Sequence, residues 1–189
     1  DVKYVTLYTF STENFSRQPE EIELIMQIAE ERFKKLLVDK RVHKNRVHVK
    51  VIGRTNMLPS SLQQVIAEIE EATCQYDNYM WNFAFAYGGR AEIVDAAKKI
   101  AEEIKESSLQ VEDITDDVFE KYLYTSHMPK QDPDIIIRTS GEERMSGFLL
   151  WQAAYSELIF LDVYWPDFRF IDMLRAIRTY QHRMRRFGK

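Results

Sequence analysis

The stretch that decides the fold is Asp134-Ile135-Ile136-Ile137-Arg138-Thr139-Ser140-Gly141-Glu142-Glu143-Arg144-Met145-Ser146-Gly147-Phe148-Leu149-Leu150-Trp151-Gln152. Its three consecutive isoleucines form a short β-branched run without polar alternation, the pattern of a buried strand in a parallel sheet. The run stops at Arg138. Beyond it one loop gathers the guanidinium forks of Arg138 and Arg144, the hydroxyls of Thr139, Ser140 and Ser146, and the backbone N–H groups of a Ser-Gly turn. Paired forks around such a turn suit a diphosphate better than a carboxylate metabolite. The plainer alternative pairs Arg138 with a neighbouring acid such as Glu142 and leaves only a polar turn.

Outward from this stretch, strand-like and helix-like segments alternate. Residues 2–10 are β-branched and aromatic, and Val47 to Ile52, Trp81 to Ala86 and Leu158 to Val163 read as further strands. Pro19, followed by Glu20 and Glu21, starts a helix whose apolar face is Ile22, Ile25, Ile28, Ala29, Phe33, Leu36 and Leu37. Ser60 or Ser61 caps a second, with Leu62, Val65, Ile66, Ile69 and Ala72 on one side. A third carries Ile93, Val94, Ala97, Ile100 and Ile104, and Thr115 caps a short fourth. Phe148 to Ala154 reads as a helix, and the last helix turns Phe170, Met173, Leu174, Ile177, Tyr180 and Met184 inward. The basic run from Lys40 to Arg46 reads as a solvated loop. Asp116-Asp117 lacks a partner acid at metal-motif spacing, so it complements the helix dipole.

This alternation predicts an α/β fold: one open, mostly parallel sheet with helices on both faces. Ligands of such sheets bind beyond the carboxyl ends of the strands. The polar loops at 11–17, 87–90 and 139–146 all follow strand ends, so they are expected to meet on one rim. The pair Gly88-Gly89 with Arg90 at a helix start is a second candidate anion site.

Composition bounds the function. With 189 residues, 45% of them hydrophobic, the chain can bury one good core, so 1–189 is expected to be a single domain. A net charge of −4 argues against general nucleic-acid binding, which needs an excess of basic residues. The lone cysteine, Cys74, has no internal disulfide partner, which fits a reducing, cytoplasmic setting and an inert structural role. No apolar run approaches a membrane span, which leaves peripheral membrane contact as the only expected association with lipid. The chain enters an apolar strand immediately after Asp1, as though a fold were joined partway, and a preceding first strand is expected to be missing.

Six ordered blocks resemble those of the cis-prenyltransferases, the undecaprenyl and dehydrodolichyl diphosphate synthases. They are Thr6 to Arg17, Tyr87 to Ile93, Ile137 to Glu142, Phe148 to Gln152, Tyr155 to Leu158 and Arg185 to Gly188. The resemblance implies Mg2+-dependent condensation of isopentenyl diphosphate with an allylic diphosphate such as farnesyl diphosphate, repeated to build a long polyprenyl diphosphate, in a homodimer. It places Arg138, Arg144 and Ser146 on isopentenyl diphosphate and Arg17 on the allylic diphosphate. Ser11 and Asn14 fall near the reacting carbons, where they help position substrate and remove the proton. Glu157 falls on a magnesium-associated acid, and Arg186 and Gly188 on a tail that reaches the neighbouring subunit's site. The apolar faces of helices 20–37 and 62–72 are candidates to line a cavity for the growing chain. Phe15 and Ala86 depart from the tryptophan and asparagine common at those positions in relatives. An Asp-Gly-Asn block that supplies the family's catalytic aspartate has no counterpart here, and a chain without it is expected to bind isopentenyl diphosphate with little turnover.

Two other classes compete. A non-catalytic partner subunit of a two-component prenyltransferase usually lacks the arginines that this chain keeps. An RNA-binding domain led by the basic tail from Arg175 to Lys189 conflicts with the net acidity.

Overall fold

In Val47-His48-Val49-Lys50-Val51-Ile52 every second side chain is valine, and this alternation forms a strand with one dry face: Val47, Val49 and Val51 are buried while His48 and Lys50 are half-buried. The computed structural model describes residues 2–183 and resolves the chain into two compact units, Asp1–Glu92 and Ile93–Lys189. Parallel strands together with helices make both units α/β in character, as expected.

In the first unit, β1 (Tyr4–Ser11) leads through a 3-10 turn (Thr12–Ser16) to α1 (Pro19–Leu37) and α2 (Lys40–Lys44), then β2 (Val47–Ile52), α3 (Ser60–Thr73) and β3 (Tyr79–Tyr87). Helix α4 (Gly89–Lys105) begins at its end. The strands form a parallel sheet in the order β1-β3-β2, with Tyr4 opposite Met80 and Val47 opposite Tyr79. Phe10, Met26, Phe33, Val49, Leu62 and Ile69 are part of the buried core between this sheet and α1 and α3. Each such aliphatic or aromatic side chain contributes about 1.5–3 kcal/mol by leaving water.

Edge strand β2 has a specific shield. Thr73 Oγ1 accepts the Val49 N–H at 3.1 Å and Glu70 Oε1 accepts that of Val51 at 2.8 Å, so α3 occupies ladder donors that would otherwise recruit another chain. Lys50 Nζ closes on the other Glu70 oxygen at 2.6 Å. The strand end is equally constrained. Gly53 has a φ of 128°, and a Cβ there would collide with the carbonyl oxygen of Phe85, so only glycine fits without backbone movement.

The second unit contains most of α4, then α5 (Asp116–Glu120), β4 (Ile135–Arg138), β5 (Glu157–Phe160) and α6 (Phe170–His182). Strands β4 and β5 pair in parallel, Ile135 opposite Glu157 and Arg138 opposite Phe160.

Several local expectations are corrected. Phe148 to Ala154 is a chain of turns, because Ser146, Gly147 and Leu149 all take positive φ and interrupt helical hydrogen bonding. The basic run is α2, capped by the Asp39 carboxylate on the Arg41 N–H at 2.8 Å. Pro59, not Ser60 or Ser61, occupies the N-cap of α3. Helical phase also shifts: Ala96 is buried where Ala97 and Val94 were expected, and Ile28 and Ala72 are exposed while Met26 and Thr73 are buried. On α6 the buried residues are Asp172 and Ala176, whereas Phe170 is 77% exposed and Leu174 43%. Met184 lies outside the described residues. Cys74 is exposed, not structural core.

Candidate active site

In the first unit the carboxyl ends of β1 and β3 bring two of the three expected polar loops together. The ladder is irregular around Phe10, which pairs with Phe85, and returns to its original register at Ser11, opposite Tyr87. Gly88 allows the contact: a Cβ there would lie 2.5 Å from Thr12 Oγ1. Fully buried Tyr87 donates its hydroxyl to Glu92 Oε2 at 2.5 Å, which ties β3 to the first turn of α4 and orients the Gly88-Gly89-Arg90 turn. Arg90 is exposed at that helix start, where amide dipoles favour an anion.

Asn14 Oδ1 accepts the Ser11 N–H at 2.8 Å, so the two expected catalytic residues are joined through one 3-10 turn. Glu13 is held below the usual carboxylate range by its own backbone N–H first, then by the hydroxyls of Ser11 and Thr12 and the charge of Arg90. Phe15 anchors the turn edge-to-face on Phe10, with ring centroids 5.0 Å apart. Arg17 forms an exposed i,i+4 ion pair with Glu21 at the start of α1.

Beside this turn lies a groove of about 710 Å³ between α1 and the entrance to α3. Phe15, Ile22, Met26, Met57, Leu58 and Leu62 supply its apolar wall, and Arg17 lines it where α1 begins. Its volume is in the range that small-ligand sites occupy. The expected helix faces contribute to it, but the Met57-Leu58-Pro59 turn was missed, because a short 3-10 segment leaves no periodicity in sequence.

The loop after β4 is in the second unit. Arg138 ends the strand half-buried, and its guanidinium has no hydrogen-bond or ion-pair partner among the described residues. Glu142, the acid that the plainer reading gave to Arg138, pairs with Arg144 instead. The turn amides are not free as expected. Ser140 N donates to Val163 O at 2.7 Å and Gly141 N to Leu161 O at 3.1 Å, because positive φ at both residues turns the loop back along the chain after β5. Ser146 is exposed at a positive φ of 48°. Glu157 accepts from Arg183 Nη1 at 3.0 Å. Arg186 and Gly188 lie outside the described residues.

Among the described residues no three His, Cys, Asp or Glu side chains cluster to hold a metal. Magnesium typically binds one or two carboxylates with substrate phosphates and water. Glu157, the acid expected to serve magnesium, is a single carboxylate of that donor type, and here it is paired with Arg183. Among the described residues no helix is long and apolar enough to cross a membrane.

The family described as "Putative undecaprenyl diphosphate synthase" matches residues 1–188. A tritrans,polycis-undecaprenyl-diphosphate synthase (geranylgeranyl-diphosphate specific) from Pyrococcus abyssi is 54% identical, over 100% of this chain and 70% of its own length. Its counterpart of the same name from Thermoplasma acidophilum is 52% identical, over 100% and 72%. The crystal structure of lavandulyl diphosphate synthase from Lavandula x intermedia in complex with dimethylallyl diphosphate superposes with a TM-score of 0.93 at 34% identity, covering 99% of this chain and 79% of that one. On these matches the chain belongs to the undecaprenyl diphosphate synthase family of cis-prenyltransferases, enzymes that elongate prenyl diphosphates.

Proposed function

We propose that this protein condenses isopentenyl diphosphate with geranylgeranyl diphosphate, and repeats the step to make a long polyprenyl diphosphate. The observation that carries the reading is the apolar groove with Arg17 at the start of α1, a site that suits a hydrocarbon tail ending in a diphosphate. The relatives' names support geranylgeranyl over farnesyl diphosphate as primer.

In this reading Arg17 and Arg90 engage the allylic diphosphate, while Arg138, Arg144 and Ser146 engage isopentenyl diphosphate. As the allylic carbon–oxygen bond breaks, charge builds on the departing diphosphate, and cations already in position lower the barrier most. The π electrons of isopentenyl diphosphate form the new carbon–carbon bond, and the proton then lost from the adjacent carbon leaves a double bond. The polar turn of Ser11 and Asn14 is assigned to positioning that carbon and assisting proton removal, with the departing diphosphate as the base that receives the proton. Glu157 would hold Mg2+, which when bound neutralises diphosphate charge. To hold the ion, the carboxylate would exchange Arg183 for it.

Two copies of the chain are proposed to pair through the second unit. Tyr164, Trp165, Phe170, Ile171 and Leu174 are large, apolar and exposed there, a composition typical of interface cores. Sedimentation of the full polypeptide tests this, and a monomer at assay concentration rejects it.

The decisive assay incubates the full polypeptide that carries this chain with labelled isopentenyl diphosphate, Mg2+ and either farnesyl or geranylgeranyl diphosphate. Extractable labelled polyprenyl product, greater with the geranylgeranyl primer, is expected. No incorporation with either primer overturns the reading.

A further inference from the structure

The irregular loop of the second unit has no helical ladder to fix its shape. Ser146, Gly147 and Leu149 take φ values of 48°, 76° and 47°, so helical hydrogen bonding is broken at each. Turns carry the chain onward, with Phe148 N donating to Met145 O at 3.0 Å and Ala153 N to Leu149 O at 2.8 Å. Arg144 and Ser146 stand exposed near one end of this run, and Gln152 stands fully buried near the other. A glutamine sealed from water is costly unless its amide is bonded. Gln152 Nε2 donates to Thr125 Oγ1 at 2.9 Å, and Thr125, equally buried, donates the same hydroxyl to Gln131 Oε1 at 2.7 Å. Gln131 Nε2 then donates to the Glu120 carbonyl oxygen at 3.2 Å. The Glu120 side chain returns to the loop: its Oε1 accepts from Trp151 Nε1 at 3.2 Å, and the Trp151 ring centroid lies 4.5 Å from that of Phe119. Because Trp151 and Gln152 are neighbours in sequence, these hydrogen bonds close into a ring through α5 and the chain that follows it.

We infer that this ring is the positioning device of the arginine loop, with Thr125, Gln131 and Gln152 as positioning residues for isopentenyl diphosphate. The inference rests on the reading above that Arg144 and Ser146 engage that substrate, and adds what fixes their place. Buried Leu149 holds the loop down without fixing its rotation, since hydrophobic burial has no direction. An amide bonded through a hydroxyl is tied in both distance and angle. Thr125 is the link that no hydrocarbon can replace, because its single oxygen accepts from one amide and donates to another. With the ring intact, the turns from Met145 to Ala153 pass its registration on to Ser146 and Arg144. Groups that hold a substrate lose much of their effect on a small displacement.

The test uses the full polypeptide and Thr125→Val, which keeps the shape and removes the hydroxyl. The KM for isopentenyl diphosphate is expected to rise about tenfold, while the KM for the allylic diphosphate stays at the parent value. Thr125→Ser, which keeps the hydroxyl on a smaller side chain, is expected to stay close to the parent. A Thr125→Val protein that melts lower yet keeps both constants makes the ring purely structural and overturns the inference. An equal rise in both constants, or a serine variant as impaired as the valine one, overturns it too. Gln131→Met, at a half-buried position, breaks the same relay and decides if Thr125→Val does not fold: the same selective rise is expected, and an unchanged constant overturns the ring. The substrate assignment is tested apart, with Arg144→Ala/Ser146→Ala. If that double variant keeps the parent's KM for isopentenyl diphosphate, the loop is not the site and the ring's role falls with it. A loss there beside no effect at Thr125 overturns the ring alone.

Discussion

The two units end their strands in opposite ways. In the first, Gly53 wedges against β3, the Arg54 N–H donates to Ala86 O at 3.0 Å, and Tyr87 is locked to Glu92. The cation that follows its 3-10 turn, Arg17, has an acid partner. In the second, β4 runs into a succession of turns with positive φ at Ser140, Gly141, Ser146, Gly147 and Leu149, and Arg138 stands without a partner among the described residues. The difference teaches that a polar loop can be poised in two ways. One is a rigid turn whose charges are mostly compensated beside an apolar groove. The other is an irregular loop that leaves a guanidinium without a partner among the described residues.

If that contrast is right, the largest effect comes from Arg138. Arg138→Ala in the full polypeptide should lower kcat/KM for isopentenyl diphosphate about a hundredfold, near 2.7 kcal/mol. Arg144→Ala, whose side chain already pairs with Glu142, should cost nearer tenfold. Steady-state kinetics with varied isopentenyl diphosphate separates them, and equal losses would erase the distinction between a waiting and an occupied cation.

Rigidity in the first unit is tested by Gly53→Ala. The positive φ and the collision with Phe85 O predict a loss of about 2 kcal/mol, read as a lower urea midpoint with an unchanged slope. An unshifted midpoint would show that this strand end yields easily.

Glu157→Gln sharpens the second unit's side of the comparison, since it removes the charge that Arg183 holds while keeping the shape. A higher Mg2+ requirement is expected. A titration superimposable on the parent's would leave Glu157 with only its structural partner.

The smallest effect is electrostatic and confined to the first unit. The Arg41 guanidinium, and after it the Arg41 N–H, pull the Asp39 carboxyl from 3.8 to about 2. Because the folded value is depressed, the cap's contribution is complete above 3.8 and is lost as pH falls through about 2. The melting-temperature gap between the parent and Asp39→Ala should therefore narrow as pH drops over that window. A gap that is constant with pH would mean the cap works without its charge.

Much of this was legible in the residues. The Ile135-Ile136-Ile137 run as a strand (half-buried, where a buried one was expected), the valine alternation of β2, Pro19 at a helix start and Thr115 at another are local signals, and local sterics and capping enforce them wherever the chain goes. Arginines at the end of β4 were equally plain, because guanidinium chemistry travels with the side chain. Helical phase was less so: Ala96 against Ala97 and Met26 against Ile28 differ by fractions of a turn that depend on what packs against the helix.

What only the folded chain decided is pairing through space. Glu142 lies close in sequence to both Arg138 and Arg144, and backbone turns at Ser140 and Gly141 deliver it to Arg144. The amides of that turn, free by sequence, are taken by carbonyls about twenty residues away. Glu30 and Ser61, unremarkable in their own helices, meet because α1 and α3 converge. Residue type sets what a group can bind, but its partner is set by distance and direction, and those exist only once the backbone has closed.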